Sequence, residues 1–180
     1  MADVRKRFFM HVRAVGIAGL LNELPGPWQG RISIGQSRWR RGMIDLLAFS
    51  FSIESSVLSD PRVGALTDTE VAWLLNEYWG VLEEVWSEAF KRPEEYEIQS
   101  VIGVFSLHML LPEILNWCQR QGGWSRAGVK RLVAGAGIGS EFWRTGGEAW
   151  LLSNNTPTCT AALVDHLRDR LHMACQADGS

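Results

Sequence analysis

Residues 67–90 read TDTEVAWLLNEYWGVLEEVWSEAF, and the class of fold turns on them. Thr67 stands three positions before Glu70, the pattern of a capping box in which each side chain satisfies the other residue's orphan backbone N–H. Behind it, Val71, Leu75, Tyr78, Leu82, Val85 and Ala89 step by four and three residues, which places them on one stripe of a helix. Trp79, Trp86 and Phe90 widen that stripe, while Glu70, Glu77 and Glu84 fall seven apart on another line. The pattern predicts a long amphipathic helix that needs other helices to cover its apolar face.

The flanking sequence supplies them. Downstream, Arg92-Pro93-Glu94-Glu95 reads as a helix start, with Pro in a first-turn position and acids beside it. From Ile98 to Pro112 no residue is formally charged if His108 is neutral, and these fifteen residues are too few to span a bilayer. They predict a central buried helix that Pro112 kinks or ends, with the pattern resuming at Ile114, Leu115 and Trp117 until Gly122-Gly123. Residues 125–152 are Gly-rich and predict short helices in irregular chain, and Thr156-Pro157 opens a last amphipathic helix with Leu163, Leu167 and Leu171 inward. Upstream, residues 43–58 predict one buried helix ending before Asp60-Pro61. Residues 4–24 predict another, carrying Phe8, Val12, Val15, Leu20 and Leu21, which Pro25-Gly26-Pro27 stops. Residues 28–41 read as a loop with a short extended piece at 31–34. The expected fold is all-α: a single-domain helical bundle with a central buried helix and a Gly-rich irregular segment. Its parts are a basic helix and loop (1–41), a helical core (42–121), and the Gly-rich segment with the terminal helix (122–180).

Composition agrees. A chain of 180 residues with 46% hydrophobic and 21% charged content suits one packed domain and excludes wholesale disorder. A net charge of −2 gives no global argument for nucleic acid, but charge is segregated. Residues 1–41 carry a balance of +6, residues 42–121 of −9, and residues 122–180 of +1. Either the basic start folds against the acidic Glu77/Glu84 face, or it meets phosphate or an acidic partner. Arg5, Lys6, Arg7 and Arg13 interrupt any apolar signal core, and three cysteines make no even framework, so a cytoplasmic chain with reduced thiols and no membrane span is expected.

Reaction chemistry is thinly represented. Cys159, His166, His172 and Cys175 lack the paired short spacings of a zinc site, so no metal is expected. Asp165-His166 with Ser153 lacks a nucleophile elbow, and His108 among apolar neighbours reads as a core histidine. Gly135-Ala136-Gly137-Ile138-Gly139 has neither a Walker lysine nor a preceding strand. No cofactor is implied.

Several stretches follow a known order. Val4-Arg5-Lys6-Arg7-Phe8-Phe9, Pro27-Trp28-Gln29-Gly30-Arg31-Ile32 and Arg41-Gly42-Met43-Ile44 come first. Glu77-Tyr78-Trp79, Arg92-Pro93-Glu94-Glu95-Tyr96, Ile102-Gly103-Val104 and Leu110-Leu111-Pro112-Glu113-Ile114-Leu115 follow, and Glu141-Phe142-Trp143 with Gly146-Gly147 closes the series. In this order the chain resembles the C-terminal helical half of DGQHR-domain proteins, which include the DNA-phosphorothioation regulator. The namesake Asp-Gly-Gln-His-Arg string belongs to that family's ParB-like half and does not occur in these residues; Ile34-Gly35-Gln36-Ser37-Arg38 lacks its Asp and His. The resemblance implies either a standalone reduced homologue or one piece of a split system.

Two classes of function result. One is a non-catalytic nucleic-acid-binding or scaffolding module of a prokaryotic DNA-modification or phage-defence system, working with a partner subunit; a small helical subunit of an RNA-guided complex is its variant. Arg31, Arg38, Arg40 and Arg41, with Trp28 and Trp39, would form its contact loop, guanidinium groups beside stacking rings on DNA or RNA. The other is an enzyme of unrecognised type using residues 135–147 with His108 or His166. Nine tryptophans are many for a core of this size, so a protein partner or homo-oligomer is expected, with Trp39, Trp124 and Trp150 as loop-borne anchors.

Overall fold

The computed structural model describes residues 2–34, 42–153 and 157–177. They form an all-α body. Its helices are α1 (Ala2–Glu23), α2 (Leu46–Ser52), α3 (Pro61–Gly64), α4 (Asp68–Val85), α5 (Ser87–Lys91), α6 (Val101–Arg120), α7 (Arg126–Gly135), α8 (Glu148–Ser153) and α9 (Pro157–Ala177). A π-helical turn at Ile53–Val57 continues α2, and a 3₁₀ turn spans Ser140–Trp143. Strands β1 (Ile32–Ser33) and β2 (Ile44–Asp45) pair in parallel, Ile32 opposite Ile44.

The capping box starts α4 as the sequence requires. Thr67 N donates to Glu70 Oε2 at 2.8 Å, and Glu70 N donates to Thr67 Oγ1 at 3.3 Å. Val71, Leu75, Tyr78 and Leu82 are buried below. α6 lies inside the body, with Val104, Leu107, Leu111 and Ile114 wholly buried. By length and composition it could cross a membrane; here it is packed against α2 and α9. It ends in a Schellman motif: Gly123 N donates to Cys118 O and Gly122 N to Gln119 O, with φ of 89° at Gly122. Leu163, Leu167 and Leu171 of α9 face inward.

Four local expectations are corrected. α6 continues through Pro112 without ending there, although the missing proline N–H leaves the His108 carbonyl without its usual helical donor. Residues 92–100 make turns, because their backbone pairs across to the 3₁₀ region: Glu97 N donates to Trp143 O and Thr145 N to Glu95 O. The helix begins only at Val101, and Gly103 fits because any Cβ there would lie 2.3 Å from Ile98 O. Residues 43–58 are divided: Asp45 leaves β2, caps α2 by accepting from Leu47 N at 2.8 Å, and the helix then widens into the π turn. In α1, Ala14, Ile17, Ala18 and Leu21 are buried, whereas Phe8 and Val12 face solvent.

Candidate functional site

Trp28 leaves the expected contact loop altogether. It is fully buried, with ring centroids 4.7 Å from Phe49 and 4.8 Å from Trp79, both edge-to-face. Arg31 is half-buried and donates from Nη1 to Gln99 Oε1 at 3.2 Å, while Gln99 Nε2 donates to Pro27 O. That guanidinium braces the Pro25–Pro27 bend against the turn before α6. Arg38, Trp39, Arg40 and Arg41 lie outside the described residues. The acidic line of α4 is met from α7: Arg126 contacts Glu77 Oε2 at 3.0 Å and Glu84 Oε1 at 2.7 Å, and Lys130 reaches Glu84 Oε2 at 2.7 Å. Hydrogen bonds from Lys130 and then Arg126 hold the Glu84 carboxyl below its ordinary range.

Trp124 is a half-buried lid on the core, and Trp150 is half-buried within α8 instead of in a loop. The more exposed ring is Trp73 of α4, at 57%.

His108 is the most elaborate polar centre in the interior. The Trp79 indole can only donate, so His108 Nε2 accepts from Trp79 Nε1 at 3.1 Å and its other nitrogen carries the proton. His108 Nδ1–H then donates to Ser52 Oγ at 2.8 Å, and Ser52 Oγ–H donates to Phe49 O at 2.7 Å. Every partner is satisfied and His108 is wholly buried, which pushes its pKa down to about 3. The imidazole is therefore neutral and sealed from substrate. Ser52 and His108 have the atoms of a nucleophile and base, but the hydroxyl proton is committed to a backbone carbonyl.

His166 and His172 each have a neighbour, and the Cys159 side chain lies outside those described. The Phe142 and His166 rings stack with centroids 5.5 Å apart, and His172 Nε2 lies 3.8 Å from Glu113. No group of three metal-ligating side chains occurs among the described residues. The carbonyls of the 135–139 loop are engaged: Arg170 donates to Ala136 O and Gly137 O, and Trp86 Nε1 donates to Ile138 O at 2.7 Å. The Ala136 and Gly137 amides, which a phosphate cradle would need, donate to Leu132 O and Ala134 O. Beneath it, between Tyr78, Leu110 and Leu171, is an apolar void of about 10 Å³, too small for more than a single water molecule.

What sequence reasoning missed is the start of α1. Val4, Phe8, Phe9 and Val12 are 72%, 70%, 62% and 51% exposed, and Arg5 is exposed among them. The missed signal was the adjacency of apolar and basic side chains over residues 4–12, a stretch with no single buried stripe.

No family model, curated protein or solved structure matches the chain.

Proposed function

We propose that this chain is a non-catalytic binding module whose working surface is its basic N-terminal segment. The observation that carries the reading is the clustering of four exposed apolar side chains, Val4, Phe8, Phe9 and Val12, beside Arg5 at the start of one helix. Large apolar side chains clustered in water mark an interaction surface, and the flanking cations supply attraction to an acidic partner. The sealed His108 network supports a non-catalytic role. In sequence Arg38, Arg40 and Arg41, with Trp39, continue the basic segment and would add phosphate contacts, whereas Arg31 is engaged with Gln99. The setting, a DNA-modification or defence complex, rests on the motif order over residues 4–147.

The test is association of the purified chain, by light scattering with itself and by fluorescence anisotropy with duplex DNA and single-stranded RNA at two salt concentrations. Binding of protein or nucleic acid that Phe8→Ser with Val12→Ser weakens supports the reading. A chain that stays monomeric and binds neither nucleic acid overturns it.

A further inference from the structure

α1 has two apolar lines. Ala14, Ile17 and Leu21 enter the core; Val4, Phe8, Val12, Val15 and Gly19 follow one another at spacings of four, four, three and four on a second line, exposed at its first three positions and partly buried at the last two. Its flanks are occupied. Arg13 binds Asp68 Oδ1 at 2.7 Å and Gly64 O on one side, and His11 Nδ1 meets Glu54 Oε2 at 3.0 Å on the other. Between them Val12 is 51% exposed, Val15 and Gly19 are half-exposed, and a Cβ built at Gly19 would meet nothing within 4 Å. Four-three spacing is the seam of a helix that packs lengthwise on another helix.

We propose that a second copy of this chain occupies that seam, its α1 antiparallel to the first about a two-fold axis near residues 13 and 14. The seam's spacing is symmetric about that point. Phe8 then seats over Gly19 of the second copy, a large side chain into an open position, and Val12 packs on Val15 of the second copy. Each contact occurs twice, so the interface closes on itself. Charge selects the orientation. Exposed Arg5 lies at one end of a helix about 33 Å long, and exposed Glu23 with the helix C-terminus lies at the other. Antiparallel pairing brings Arg5 beside Glu23 of the second copy; parallel pairing would set two cationic ends together. An anionic lipid surface fits less well, since residues 42–121 carry a balance of −9.

This inference rests on α1 being the contact face, and its test separates the two ideas. The intact chain should sediment as a dimer at micromolar concentration. Val12→Glu should yield a folded monomer by circular dichroism. Arg5→Glu should weaken dimerisation about tenfold, and adding Glu23→Arg should restore it. Under mild oxidation Phe8→Cys with Gly19→Cys should form a disulfide-linked dimer, whereas Phe8→Cys alone should not, because two copies of residue 8 lie far apart in the antiparallel pair. A monomer at high micromolar concentration, a dimer indifferent to Val12→Glu, or efficient linkage by Phe8→Cys alone overturns the proposal. A monomer that binds nucleic acid, or anionic vesicles, through Phe8 and Val12 overturns it too, while leaving α1 as the contact face.

Discussion

The centre of the bundle and the start of α1 use aromatic side chains in opposite ways. Around His108, the rings of Trp28, Phe49 and Trp79 meet edge-to-face with no exposure, and the imidazole has a partner on each nitrogen. At the start of α1, Phe8 and Phe9 are adjacent in sequence and both face water. The residue types are alike; the difference is how many elements converge on each. α2, α4 and α6 supply Phe49, Trp79 and His108 to the centre, whereas Val4, Phe8 and Phe9 of α1 are left exposed. An apolar side chain becomes core only where other elements supply the opposite wall.

Truncation at the centre breaks that contrast most severely. Trp79→Ala removes a fully buried ring and leaves His108 Nε2 without a donor, so it should cost about 3–5 kcal/mol by urea denaturation. A loss under 1 kcal/mol would mean the centre is not closely packed. Next comes His108→Leu, which leaves the buried Trp79 indole N–H without its acceptor and should cost about 2–3 kcal/mol at neutral pH.

That residue also sharpens the comparison through pH. Folded His108 titrates near 3 and the unfolded imidazole near 6.5, so between these values only the unfolded chain takes up this proton. Its stabilising contribution is whole above about 6.5 and declines on acidification, by up to about 1.4 kcal/mol per pH unit. His108→Leu should flatten that part of the stability profile; an unchanged slope between pH 6 and 4 would contradict the buried neutral state.

Smaller effects are expected away from the centre. Thr67→Ala removes one half of the capping box and should cost about 1 kcal/mol in thermal unfolding. Phe8→Ser should change the stability of the dissociated chain by no more than about 0.5 kcal/mol, measured by denaturation at high dilution. A larger loss there would show that Phe8 belongs to the core and would remove the contrast.

Much of this fold was legible because it is local. The capping box, the Val71–Leu82 stripe, the Gly122-Gly123 stop and the inward leucines of α9 each follow from residues within a few turns of one another. Arg31 was legible as a cation but not as a brace, since its partner Gln99 is 68 positions away. The same holds for Arg126 meeting Glu77 and Glu84.

By itself, then, the sequence determined which segments coil and which stripes are apolar, because helix spacing, caps and breakers act over one or two turns. Tertiary structure alone decided that residues 92–100 pair with 143–145 instead of coiling, that Trp28 joins the core, and that Phe8 and Val12 do not. Those outcomes depend on which distant backbone group or side chain arrives to satisfy a hydrogen bond or exclude water. Periodicity marks an apolar face, but it carries no information on whether another element comes to cover it.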